Sequence, residues 1–121
     1  MNKQRLRKIN EEIRRVISAS LLYGMKDPRL PSMINVLGAQ TAADMKQVKI
    51  FVSWVGEEDR NEVLSVLNRA SGYFRRELGK ELTTYHTPEP RFYYDDSVEK
   101  GMEMDEILRG ITYSDDETEE S

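Results

Sequence analysis

A chain of 121 residues, a third of them charged, has room for one domain with a modest core, and is short for a catalytic cleft assembled from several subdomains. It contains no cysteine, which excludes a disulfide framework, a thiolate nucleophile and a cysteine-based zinc site, and agrees with a reducing cytoplasm. The formal net charge of −4 is uneven: through Tyr94 sixteen basic residues face eleven acidic ones, and from Asp95 onward two face eleven. A basic body with an acidic end suggests an anionic partner such as nucleic acid, although mixed surfaces serve neutral partners as well.

Lys3 to Leu22 carries the first helical pattern, with Leu6, Ile9, Ile13, Val16, Ile17 and Ser20 on one face. Lys3, Arg7, Lys8, Arg14 and Arg15 stand opposite, diluted by Glu11 and Glu12. That stripe could follow a phosphate backbone, and a solvated amphipathic face has the same pattern. Gly24 is placed to close the helix as a C-cap. Lys26-Asp27-Pro28-Arg29-Leu30-Pro31 is a turn by its chemistry, which presents Arg29 to solvent as either a contact or an ordinary surface arginine.

Met33 to Ala42 and Val48 to Trp54 read as two strands of a β-hairpin, joined by Ala43-Asp44-Met45-Lys46. In the second, Val48, Ile50, Val52 and Trp54 alternate with Lys49, Phe51 and Ser53, which puts Trp54 with the core set. Gly56 to Arg60 is a charged turn with Asp59 or Asn61 as a helix cap.

Val63, Val66, Leu67, Ala70, Phe74, Leu78 and Leu82 then return at helical spacing, with Gly72 in their midst. Glycine inside a helix costs roughly 1 kcal/mol relative to alanine, so Ala70-Ser71-Gly72 reads as a joint between two helices. Arg69, Arg75, Arg76 and Lys80 flank it, and a fresh helix N-terminus attracts phosphate. A continuous core helix with one tolerated glycine fits the same segment.

Thr83 to Pro90 is irregular, and Arg91 to Tyr94 forms a third short strand, which Pro90 assigns to an edge or a strand start. Asp95-Asp96-Ser97 caps a final helix with a weak apolar stripe of Met104, Ile107, Leu108 and Ile111. The closing acidic run cannot bury anything, which divides the chain into a domain of residues 1–112 and a disordered tail of residues 113–121. No apolar run is long enough for a signal peptide or a membrane span. His86 is the only histidine and has no neighbouring nucleophile, and there is no phosphate-binding glycine loop or calcium loop. The expectation is a soluble, cytoplasmic, non-enzymatic monomer without cofactor or metal, the monomer because no spare apolar stripe remains once the core is assigned.

The order helix, strand, strand, helix, kinked helix, strand resembles a type II KH domain, an α+β fold with a three-stranded sheet packed against helices. Asp27-Pro28-Arg29, the run from Asp44 to Ser53, Ala70-Ser71-Gly72 followed by Phe74-Arg75, and Pro88-Glu89 through Phe92 to Asp95-Asp96-Ser97 and Gly101 together resemble the ribosome-binding factor A family. Each piece is weak alone; their order and spacing over about seventy residues carry the likeness. The resemblance implies a KH-like domain whose G-x-x-G loop is replaced by the kink at Ala70, Ser71 and Gly72. It also implies association with the immature 30S subunit, contact with 16S ribosomal RNA, help in its 5′-end maturation, and importance in the cold. Pro90 and Tyr85 depart from the family pattern and put the entry to the third strand in doubt.

On this reading Arg5, Arg7, Lys8, Arg14 and Arg15, the turn residue Arg29, and Arg69, Ser71, Gly72, Arg75, Arg76 and Lys80 around the kink form the RNA-binding set. A generic KH-like binder of single-stranded RNA and a protein-interaction adaptor are the alternatives.

Overall fold

A computed structural model of the chain describes residues 2–84 and 86–97, and beyond them Lys100, Gly101, Met104, Ile107 and Leu108. Its elements run α1 (Lys3–Ala19), β1 (Asn35–Thr41), β2 (Gln47–Ser53), α2 (Arg60–Arg69), α3 (Ser71–Glu81) and β3 (Glu89–Tyr94). The expected order is therefore present, including the split of the second helical segment.

The first helix starts where Asn2 Oδ1 accepts the Arg5 N–H at 2.8 Å, and it buries Ile9, Ile13 and Ile17. It does not stop at Gly24 on a left-handed cap. Instead it widens into a π-helical turn, Ser20–Gly24, ended by the Met25 N–H donating to Ser20 O at 2.9 Å. Gly24 has another role: a Cβ there would lie 2.0 Å from the Tyr73 hydroxyl, so the missing side chain lets α3 approach the end of α1.

The sheet has the order β1-β2-β3. The hairpin makes β1 and β2 antiparallel, whereas α2 and α3 form the crossover that lets β3 run parallel to β2. At the hairpin tip Asp44 Oδ1 accepts the Lys46 N–H at 3.0 Å. Met45 there takes a left-handed φ of 64°, and its buried side chain helps to hold that conformation.

Val36, Val48, Ile50, Val52, Trp54 and Phe92 join Ile13, Ile17, Val63, Leu67, Phe74 and Leu78 in one core. The buried strand residues share one side of the sheet, so α1, α2 and α3 pack on that side and, among the described residues, leave the other open. Trp54 is core, as its parity required, and meets Tyr94 edge-on with centroids 4.8 Å apart. Asp59 is the N-cap of α2, accepting the Glu62 N–H at 2.9 Å.

Each edge of the sheet is met by an asparagine side chain from a helix. Asn68 of α2 accepts the Phe92 N–H at 2.7 Å and donates to Phe92 O at 3.3 Å, which imitates a neighbouring strand along β3. Asn10 of α1 accepts from the Thr41 N–H at 3.0 Å and from its hydroxyl. Pro90 fits β3 without loss: Glu89 donates its N–H to Lys46 O at 2.9 Å and Asp95 to Val52 O at 2.8 Å, so the alternate position 90 needs no donor toward β2.

Beyond β3, Asp95 accepts the Ser97 N–H at 2.9 Å, a hydrogen bond that holds its carboxyl below the ordinary carboxylate value, and positions 97, 100, 101, 104, 107 and 108 are helical. Met104, Ile107 and Leu108 are exposed, as are Leu22, Tyr23 and Met33. Apolar surface does remain after the core is assigned, so the ground given above for a monomer does not hold. Tyr85, Ile111 and the tail of residues 113–121 lie outside the described residues.

Candidate nucleic-acid interface

The bend between α2 and α3 occurs at a single residue, Ala70, with φ −91° and ψ 15°. Its N–H donates to Leu67 O at 3.1 Å and Val66 O at 3.3 Å, tightening the last turn of α2, while its carbonyl accepts the Phe74 N–H at 3.2 Å and starts α3. Ser71 and Gly72 are already helical. Gly72 therefore does not make the bend, and a Cβ on it would meet only Arg76 Nη1, at an ordinary 3.8 Å. No side chain caps the start of α3. Gly72 leaves this bare N-terminus open to an outside group, and Arg69 and Arg76 are exposed beside it.

Other members of the expected set are committed within the protein. Arg75 Nε donates to Thr87 O at 3.0 Å and fastens α3 to the loop before β3. Lys80 pairs with Glu77 at 2.9 Å, and that hydrogen bond raises its pKa. Arg29 clamps Asp27 through Nε–Oδ1 at 3.0 Å and Nη2–Oδ2 at 2.7 Å, while the Arg29 backbone N–H donates to Asp27 Oδ1 at 2.9 Å. The side-chain pairing first, and the backbone bond second, hold the Asp27 carboxyl at about 2. The Asp-Pro-Arg turn is thus locked by its own ends, with the guanidinium half exposed.

The basic residues of α1 do not form one stripe. Arg5, Arg7 and Lys8 line a shallow groove over its first turns together with Asn2, Gln4 and Glu11. Arg14 is bound by both carboxylate oxygens of Glu11 and borders a groove against the loop that leads into β1. Arg15 lines the cleft between α1 and α3 together with Tyr23, Tyr73, Glu12, Glu77 and Glu81. With Glu77 paired to Lys80, Glu12 and Glu81 still outnumber the Arg15 guanidinium and disfavour phosphate in that cleft. Two basic areas result, one at the start of α1 and one at the start of α3. Ser71, half-buried, and Gly72 belong to the second.

Asn10 and Asn68 were invisible in the sequence because their partners are distant along the chain. Phe51 and Tyr93 face outward from the sheet. A signal existed for Phe51, which shares strand parity with Lys49 and Ser53. Among the described residues no cluster of three His, Cys, Asp or Glu side chains could hold a metal ion, and no helix is long and apolar enough to cross a membrane.

Comparison with known proteins agrees with this architecture. The family model of ribosome-binding factor A matches residues 5–108. The Clostridioides difficile ribosome-binding factor A is 42% identical over 107 residues, covering 88% of this chain and 84% of its own. A candidate ribosome binding factor A from Thermotoga maritima, solved by NMR in solution, superposes with a TM-score of 0.69 at 33% identity, covering 80% of this chain and 93% of its own. A homology model of the Thermus thermophilus ribosome binding factor A, fitted into a cryo-electron-microscopy map of a 30S complex with that protein, shares the fold. Its TM-score is 0.58 at 17% identity, over 72% of this chain and 91% of its own. With its kinked α2–α3 pair, three-stranded mixed sheet and a sequence match spanning nearly every described residue, the chain belongs to the ribosome-binding factor A family.

Proposed function

We propose that this protein binds the immature 30S ribosomal subunit in the cytoplasm, contacts its 16S ribosomal RNA and assists its maturation and 5′-end processing, with its greatest importance in the cold. It acts without catalysis of its own, as an RNA chaperone or checkpoint that holds one RNA conformation and leaves when the mature one forms. Family membership supports the ribosomal target, as does the 30S complex of the Thermus relative. The observation that carries the mode of binding is the uncapped N-terminus of α3 at Ser71-Gly72, flanked by exposed Arg69 and Arg76. Such a site reads phosphate geometry rather than base sequence, which suits structured RNA.

Sedimentation with purified immature and mature subunits at low and high salt tests this. Salt-sensitive co-migration with small subunits, stronger for the immature ones, is expected. Absence from both, or co-purification with protein that ribonuclease does not disturb, overturns the reading.

A further inference from the structure

The open face of the sheet is a surface that the proposed function does not use. Strand register arranges it in rows: Gly38, Phe51 and Tyr93 lie side by side across the three strands, and Gln40, Lys49 and Arg91 form the next row. The Phe51 and Tyr93 rings have centroids 6.0 Å apart, with planes inclined by 34°. Lys49 Nζ stands 5.7 Å from the Tyr93 centroid. Tyr93 is 41% exposed. On the β1 side the residue opposite Phe51 is Gly38, and a Cβ there would find no heavy atom of the described residues within 4 Å, while Phe51 itself is partly exposed.

Aromatic rings on a sheet exterior with cations one row away meet the two demands of a single nucleic-acid strand, a π-face for each base and a positive charge for each phosphate. Rows two residues apart are separated by about 7 Å, so Lys49 and Arg91 can reach the phosphate side of a base lying on the aromatic row. Glu89, the acidic residue of this face on β3, sits one row further, opposite Gln47. The charge of the patch thus favours an anionic occupant over a neutral or basic one.

We propose that this face binds an unpaired segment of single-stranded nucleic acid, with two bases stacked on Phe51 and Tyr93 and the adjoining phosphates on Lys49 and Arg91. That the strand is RNA rests on the proposed function; the stacking does not. The surface lies across the sheet from the helices, so one molecule could hold structured RNA by the α3 start and a neighbouring unpaired stretch by the sheet.

The test compares the full-length chain binding a fluorescein-labelled eight-residue oligoadenylate with an abasic oligomer of the same length and charge. Stacking predicts at least tenfold tighter binding of the oligoadenylate. Tyr93→Thr should remove most of that preference and leave abasic binding unchanged, whereas Lys49→Gln with Arg91→Gln should weaken both. Gly38→Leu fills empty space and covers the flank of Phe51; it should reduce oligoadenylate binding at least fivefold with an unchanged thermal melt. Equal affinity of the unaltered chain for the two oligomers overturns the proposal, as would occur if a protein or the acidic tail occupied the face. Retention of full oligoadenylate preference by both Tyr93→Thr and Gly38→Leu overturns it too. Failure to sediment with small subunits, with the oligoadenylate preference intact, would count against the proposed function alone.

Discussion

Asn68 shows how much one side chain can decide. Its two hydrogen bonds to Phe92 satisfy backbone groups on the outer edge of β3, which would otherwise remain open to another strand. Asn68→Ala should lower stability by about 1–3 kcal/mol in urea titration, the cost of leaving buried polar groups unpaired, and should speed hydrogen exchange at the Phe92 amide. An unchanged exchange rate would mean that the edge is protected by other means. Asp27 makes a different prediction. Its carboxyl is held at about 2 against an ordinary 3.8, so its contribution to stability is present above about pH 4 and lost as pH falls toward 2. The melting temperatures of the wild type and Asp27→Asn should therefore differ at pH 7 and converge near pH 2. A difference that persists there would assign the effect to the backbone turn instead of the ion pair.

At the scale of elements the α2–α3 joint is the informative one. Helical spacing and an interior glycine pointed to a joint, and a joint exists, yet Gly72 is helical and the bend belongs to Ala70. Gly72→Ala consequently cannot straighten the pair. It should leave stability unchanged or raise it by up to about 1 kcal/mol, the difference in helix propensity, since the added methyl meets only Arg76 at 3.8 Å. Affinity for the small subunit should fall, because the methyl is added at the uncapped start of α3, where phosphate is proposed to bind. Higher stability with full affinity would leave the glycine without a binding role. The departures of the third strand from the family pattern follow the same logic: Pro90 is accommodated because its side chain is buried and position 90 needs no donor toward β2.

For the whole molecule the charge map matters more than the total. If about five phosphates are neutralised, the slope of log affinity against log salt should lie near −3.5 to −4.5. A flat dependence would be inconsistent with phosphate contact at either basic area. Because Arg15 shares its cleft with Glu12, Glu77 and Glu81, Arg15→Ala should change affinity less than Arg76→Ala does, in the same titration. Deleting residues 114–121 removes five carboxylates and reverses the sign of the formal net charge. If the tail competes with RNA for the basic helix, the shortened chain should bind more tightly at low salt and equally at high salt. Unchanged affinity at both would leave the tail a solubilising role.

Local patterns along the chain specify the elements and their order, the core-facing side of β2, a cap for α2 at Asp59 or Asn61, and the family pattern. These are local properties: periodicity within one helix or strand reports which side meets the core, whatever lies across it. Which arginines are already engaged, where the helix pair bends and what the sheet exterior offers follow only from the folded arrangement. Asn10 reaches Thr41 across 31 positions and Asn68 reaches Phe92 across 24, while Arg75 finds Thr87 through a loop without repeat. Side-chain hydrogen bonds of that kind depend on folded distances that no spacing encodes. The open sheet face was concealed for a related reason, since Phe51 and Tyr93 become neighbours only when β3 returns parallel to β2.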